Sequence, residues 1–370
     1  MSLLLTSSVA LMVLLAGWVD LVFAQSLNVT FMNNFLGVLD SMDLKNFTAL
    51  VAQVTNGGDS SFATSLSDAS SPKTLFVPNN NAFTQPGANF IGVDFLANDT
   101  QFLSSVLLYH LLDRKWTQNQ LSTTSDTLLQ TFLRGNNITF LENNSPQMIA
   151  GAQSSNGFQI VNQAQDTFVL QTFQYEHVTV QVINEIVGIP GPFTATIHTA
   201  GLTTLANLQA AAGYGTGLDT AIGLTVFAPF DDGFEAVREQ IANTSATSLL
   251  NNHIIIGKTV RGSDFQFSQH TSQSLMNYTF NQDPMSEKFT VTLNGVTVNI
   301  VRTDFLVNNG VIHLVDGVLF NTTVPDLLAV PTPVSSTDIS SPSSSSPNLA
   351  SSMLSYAQPT MTNNATNGCL

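Results

Sequence analysis

The sequence predicts an α+β protein built twice over from one repeated domain, and three observations predict it. A ten-residue motif recurs: Thr74-Leu75-Phe76-Val77-Pro78-Asn79-Asn80-Asn81-Ala82-Phe83 returns as Thr225-Val226-Phe227-Ala228-Pro229-Phe230-Asp231-Asp232-Gly233-Phe234, displaced by 151 residues. Upstream of each motif the apolar residues fall at helical spacing, and downstream they alternate as in strands. Between the copies stands Pro190-Gly191-Pro192, a run that breaks any continuous element. Helices early and strands late within each copy give the α+β class.

In the first copy Leu44, Phe47, Leu50, Val51 and Val54 share one helical face, with Asp43 placed to cap it. In the second copy Leu202, Leu205 and Leu208 do the same, followed by Ala210 to Ala212 and a terminating Gly213. After each motif comes a second shared element, Leu107-Leu108-Tyr109-His110-Leu111-Leu112 against Leu250-Asn251-Asn252-His253-Ile254-Ile255. Each copy then closes in strands. Phe289, Val291 and Leu293 alternate, Asn294-Gly295 supplies a type I′ turn, and Val296, Val298 and Ile300 resume the alternation. In the first copy Asn156-Gly157 precedes Phe158, Ile160 and Val161, and Val178, Val180 and Val182 alternate further on.

Length and composition narrow the function. The 370 residues leave room for two to three domains. Charged residues make up 9% of the chain, far below the usual ~25%, and the net charge is −15. That balance excludes nucleic acid as a partner, because phosphates need clustered Lys and Arg. It equally excludes a polybasic contact with acidic membranes. The one cysteine, Cys369, rules out an intrachain disulfide, a thiolate zinc site and a core cysteine nucleophile.

Residues 1–24 read as a signal peptide ending at Val22-Phe23-Ala24, although no Lys or Arg precedes the apolar run and Asp20 interrupts it. Membrane contact is expected only if this segment stays uncleaved. Residues 326–370 read as a disordered Ser/Thr/Pro-rich stalk, with eleven serines between Ser335 and Ser355. The sequence ends at Asn367-Gly368-Cys369-Leu370 without the apolar tail of a GPI signal. The expected organisation is leader 1–24, first domain 25–190, second domain 191–325 and stalk 326–370.

These residues resemble the fasciclin (FAS1) domain family. Its first box, T-x-F-A-P-x-x-x-A-F, is matched at Thr74–Phe83 and Thr225–Phe234, and its middle element at Tyr109-His110. Its closing box, N-G-x-x-H-x-x-D-x-x-L, is matched at Asn309, Gly310, His313, Asp316 and Leu319. Each copy departs once. The first has Gln181 and Asn184 where the closing His and Asp belong; the second has Asn252 in place of the Tyr. The first copy is also longer, with 74 residues from His110 to Asn184 against 63 from His253 to Asp316. The resemblance implies a β-wedge flanked by helices in each domain, of a kind found in extracellular adhesion and matrix proteins. The tandem pair with its Ser-rich stalk is most similar to fungal fasciclin-like surface proteins.

The expected function is therefore that of a secreted or cell-wall-associated glycoprotein mediating adhesion or matrix organisation. Its partners are expected among cell-surface, matrix or wall components, protein or glycan. The alternative is a secreted or vacuolar binding module for a small hydrophobic ligand or lipid. Enzymatic activity is not expected: there is no G-x-S-x-G elbow, H-E-x-x-H helix or P-loop. No cofactor or metal is expected either.

Nine N-glycosylation sequons stand at Asn28, Asn46, Asn98, Asn137, Asn143, Asn243, Asn277, Asn321 and Asn364. Attached sugars would keep a surface so short of charge in solution. Tyr109 and His110 are candidate binding residues by resemblance, and their leucine-rich surroundings favour a role as satisfied core polar groups. His313 and Asp316 invite a catalytic or metal reading, but positions three apart on a strand face opposite sides. Gln181 and Asn184 favour hydrogen bonding over acid–base work, since amides replace only the former.

Overall fold

The computed structural model describes residues 29–84, 99–135, 137–162, 167–266 and 269–320. The leader, the stalk with Cys369, and the sequons at Asn28, Asn98, Asn321 and Asn364 lie outside the described residues. Among the described residues the strands are, in chain order, β1 (Lys73–Pro78), β2 (Leu111–Leu112), β3 (Thr127–Gln130), β4 (Met148–Ser154), β5 (Gly157–Ile160), β6 (Thr167–Tyr175), β7 (Val178–Ile183), β8 (Leu224–Pro229), β9 (Ile254–Ile256), β10 (His270–Thr271), β11 (Asn277–Gln282), β12 (Phe289–Leu293), β13 (Val296–Val307) and β14 (Gly310–Val315). The chain forms two compact units. One holds the residues up to Gln120 with Phe168–Ile186, the other Leu121–Thr167 with the residues from Val187 on.

In the first unit the strands run in the order β2-β1-β7-β6. The repeated motif supplies β1, which lies parallel to β7 with Thr74 opposite Thr179 and Phe76 opposite Gln181. All six residues of β1 and all six of β7 are buried. The alternation of Val178, Val180 and Val182 therefore does not mark a half-exposed strand. A central parallel pair is covered on both faces, so the intervening Thr179 and Gln181 are buried too.

The helix Lys45–Asn56 buries Phe47, Leu50, Val51 and Val54, the face its spacing predicts. Its cap differs from the expectation. Leu44 holds the N-cap position, and Asp43 stands at φ 60° in the turn that ends the preceding helix, 29–41. Asp43 stands one residue before the N-cap with its carboxylate 3.8 Å from Lys45 Nζ, and another residue supplies the cap.

The second unit repeats the plan in the order β10-β11-β12-β13-β14-β8-β9, with β8 parallel to β14 and Phe227 opposite His313. Asn294 (φ 47°) and Gly295 (φ 82°) make the turn between β12 and β13, both in the left-handed region a type I′ turn requires. Gly310, at the start of β14, approaches the neighbouring strand so closely that a Cβ would lie 1.8 Å from the Leu224 carbonyl oxygen. Only glycine fits there.

This unit also contains a segment that precedes Pro190. Strands β3, β4 and β5 form an antiparallel meander, and Ala150 is buried with Leu306 and Val311 of β13 and β14. Gln147 Nε2 donates to the Val307 carbonyl (3.0 Å), and the Phe140 N–H donates to the Asn308 carbonyl (3.0 Å). The Glu142 carboxylate accepts from both the Thr259 N–H and its hydroxyl, each at 2.8 Å. The described residues from 121 to 162 thus form a strap whose sequence lies in the first copy and which these hydrogen bonds and buried side chains join to elements of the second. Gly191, in the linker, accepts from the Asn308 N–H at 2.9 Å. No helix among the described residues is long and apolar enough to cross a membrane.

Candidate functional site

The boxed residues of the two copies make the same hydrogen bonds. Thr74 Oγ1 donates to the Arg114 carbonyl and accepts from the Trp116 N–H; Thr225 Oγ1 donates to the Lys258 carbonyl and accepts from the Val260 N–H. Gln181 Nε2 donates to the Trp116 carbonyl (3.0 Å), and His313 Nε2 donates to the Val260 carbonyl (2.8 Å). The same loop is therefore tied to the same two strands by an amide in one copy and an imidazole in the other. Asn184 Oδ1 accepts from the Phe168 N–H (2.6 Å), as Asp316 Oδ1 does from the Asn299 N–H (2.8 Å). Asn80 Oδ1 accepts from the Asn46 N–H, and Asp231 Oδ1 from the Thr204 N–H, so each box caps the first turn of a helix roughly thirty residues upstream.

His313 and Asp316 do not converge. His313 is fully buried, with Nδ1 accepting from the Asp304 N–H at 3.2 Å, whereas Asp316, just past the end of β14, is exposed and bonds Asn299. Sequence reasoning missed Asp304. It adopts φ 59° at an irregularity between β13 and β14, and its carboxylate accepts from the Gly262 N–H at 2.9 Å. The one available signal was an acidic residue inside an apolar strand.

Tyr109 and His110 are sealed from solvent. His110 Nδ1–H donates to the Val106 carbonyl one turn back at 2.8 Å. Its counterpart His253 donates likewise to Leu249 (2.8 Å), and its Nε2 accepts from the Leu319 N–H at 2.9 Å. That second bond ties the middle element to the last residue of the closing box. Burial drives both imidazoles down to about 4, partly offset by the carbonyl each one meets, so both are neutral at physiological pH. Burial lowers His313 as well. In the second copy, Asn252 accepts from the Ser274 hydroxyl at 2.7 Å, and its own carbonyl accepts from the buried Tyr278 hydroxyl at 2.6 Å.

The surface carries the remaining candidates. Asn46, Asn137, Asn143, Asn243 and Asn277, the sequon asparagines within the described residues, are all exposed. A cleft of about 340 Å³ in the first unit is lined by Met42, Asp43, Asn79, Asn81, Leu170 and Gln171, among others. A cleft of about 360 Å³ in the second unit is lined by Asp126, Gln282, Glu287, Lys288, Phe289 and Arg302, among others. Both are dominated by polar side chains, unlike the mostly apolar walls of a pocket for a hydrophobic ligand. Among the described residues, no group of three or more His, Cys, Asp or Glu is placed to hold a metal ion.

Comparison with known proteins adds three findings. The family model for the Fasciclin domain matches residues 43–186 and 200–321. A fasciclin-like arabinogalactan protein from Arthroderma benhamiae is 29% identical over 163 residues, which cover 41% of this chain and 36% of the length of that protein. The solved FAS1 domain pair of the insect cell adhesion molecule fasciclin I aligns at a TM-score of 0.36 and 15% identity, over 76% of this chain and 98% of that one.

Proposed function

This chain belongs to the fasciclin domain family, and from that membership we propose that it is a secreted or cell-wall-associated glycoprotein mediating adhesion or matrix organisation. Two tandem fasciclin domains, each a sheet flanked by helices, carry the function; a cleaved leader precedes them and a Ser-rich stalk follows. The observation that carries the reading is where the polar groups lie. The boxed His, Thr, Gln and Asn side chains of both copies bond inward to backbone groups, while the five described sequon asparagines face solvent. Recognition then falls to the outer surface and its sugars, which suits a binding module and not an enzyme. The name of the fungal relative, a fasciclin-like arabinogalactan protein, supports a surface glycoprotein.

The test uses tagged full-length protein exported from a eukaryotic host. The mature chain is expected to begin at Gln25, to shift in mobility after endoglycosidase treatment, and to adhere to wall material or cells. Only ten Lys and Arg are available, so adhesion should survive high salt, which screens exposed charges. A chain that keeps Met1 and shows no shift would end the export claim, and absence of adhesion would end the functional one.

A further inference from the structure

The 360 Å³ cleft of the second unit is built by both copies. One rim is the turn Thr124-Ser125-Asp126 of the strap; the other is the loop between β11 and β12, with Ser286 and Lys288, and the first residue of β12, Phe289; Ile300 to Thr303 of β13 complete the lining. Across it, Arg302 Nη2 meets Asp126 Oδ2 at 3.3 Å, with side chains 29% and 23% exposed. A single nitrogen and a single oxygen make this pair, so further N–H donors of Arg302 and the Asp126 Oδ1 acceptor are left for a ligand. The guanidinium also lies over the Phe305 ring, its Cζ 5.3 Å from the centroid, a cation–π contact.

Both rims are held by their own hydrogen bonds. Ser122 Oγ accepts from the Thr124 and Ser125 N–H groups, and Asp283 Oδ1 from those of Met285 and Ser286. Phe289 is half-buried and packs edge-to-face on Phe265 at 5.2 Å, which itself stacks on Phe280 at 4.3 Å. At the tip of the same loop Met285 is 95% exposed. The cleft thus offers a carboxylate–guanidinium pair, hydroxyls and an aromatic ring packed on Phe265. An apolar ligand would strip water from the ion pair without replacing its hydrogen bonds. A phosphate would meet Asp126 and Glu287. A polyhydroxylated ring with one apolar C–H face meets every group: vicinal hydroxyls bond to Asp126 and Arg302, and the C–H face covers Phe289.

We propose that this cleft binds saccharide, with Asp126 from one repeat and Arg302 from the other hydrogen-bonding sugar hydroxyls and Phe289 packing on the sugar's apolar face. The proposal rests on the reading of a protein working among wall and surface glycans, and it names the chemistry of one contact. The sugar has two possible sources, a wall polysaccharide or the N-linked glycan of a neighbouring copy.

The test titrates enzymatically deglycosylated full-length protein by calorimetry with a β-1,3-glucan hexamer, a chitin hexamer and a free oligomannose glycan. Saturable binding of at least one is expected, weakened about tenfold, or 1.4 kcal/mol, in Phe289→Ala and in the double variant Asp126→Asn/Arg302→Gln. The double variant removes a packed ion pair; should it unfold, the exposed-loop variant Ser286→Ala/Lys288→Ala decides in its place by a several-fold weakening. Glucan or chitin binding assigns the wall as source, and oligomannose binding assigns a neighbouring copy. No saturable binding, or binding undiminished in every folded variant, overturns the site. Adhesion of the same samples to wall material is measured in parallel. Wild-type protein that binds an oligosaccharide without adhering upholds the cleft and retires the adhesion reading.

Discussion

The two copies solve one architectural problem with different chemistry at the same place. In the first, Gln181 reaches the Trp116 carbonyl from β7; in the second, His313 reaches the Val260 carbonyl from β14. Asn184 and Asp316 likewise accept from the strand facing them. An amide cannot act as an acid or base at neutral pH, yet the loop it holds is held the same way. The difference teaches that these positions are selected for a donor or acceptor at a fixed point. At that point His313 supplies hydrogen bonds, as the buried His110 and His253 do in the middle element, and protonating such a buried imidazole is a liability.

That liability gives the largest effect. His110 and His253 sit near 4 in the folded chain and near 6.5 when exposed. Between those values the unfolded chain binds protons that the native chain does not. Stability is therefore full above about pH 6.5 and is lost as pH falls toward 4, by up to roughly 3 kcal/mol for each histidine. His253 has a second reason: a protonated Nε2 no longer accepts from the Leu319 N–H. Urea midpoints at pH 7.5, 5.5 and 4.5 should fall steadily, and the Cε1 proton shifts of both residues should not titrate above pH 5. A histidine of this pair titrating near 6.5 in the native state would contradict its burial.

The comparison itself is broken or sharpened at residue 313. His313→Ala leaves the Asp304 N–H and the Val260 carbonyl buried without partners and opens a cavity beside Phe227, whose ring lies 5.3 Å away. A loss of about 3 kcal/mol is expected. His313→Gln installs the group that works in the first copy and should cost about 1 kcal/mol, read as the difference between denaturant midpoints. Equal losses in the two variants would mean that the ring, and not its hydrogen bond, is what the second unit needs.

How much of this was legible in the sequence follows from separation along the chain. The repeat, the helical face of Phe47 to Val54 and the Asn294-Gly295 turn are local patterns, and each appears where the residues predict it. The strap is not local. Glu142 and Thr259 are 117 residues apart, and Gln147 and Val307 are 160 apart. No periodicity encodes such a pairing; the extra length of the first copy between His110 and Asn184 was its only trace. Asp43 stands beside the helix start in sequence, as a cap should, but the capping atom comes from Asn80, 34 residues after the Asn46 whose N–H it accepts. The cleft was out of reach for the same reason, since Asp126 and Arg302 are 176 residues apart.

The smallest expected effect tests that distant cap. Asn80 and Asp231 occupy the same place in the repeated motif, and each accepts from the second residue of an upstream helix, Asn46 at 3.1 Å and Thr204 at 2.8 Å. The two differ in charge. An aspartate also meets the positive end of the helix dipole, which adds about 0.5 kcal/mol at a half-buried position such as Asp231. The two differ too in what else they bind, because Asn80 Nδ2 donates to the Asp43 carbonyl at 2.6 Å. Replacing either by alanine should cost about 1 kcal/mol. In the second copy Asp231→Asn should recover most of the loss, and its residual deficit should shrink with added salt as the dipole term is screened. In the first copy Asn80→Asp should not recover fully, since a carboxylate cannot donate to Asp43 and would repel that carbonyl. Thermal midpoints of the four variants at low and high salt measure this. If Asn80→Asp proves more stable than wild type, the donor to Asp43 contributes nothing and the capping contact alone explains both positions.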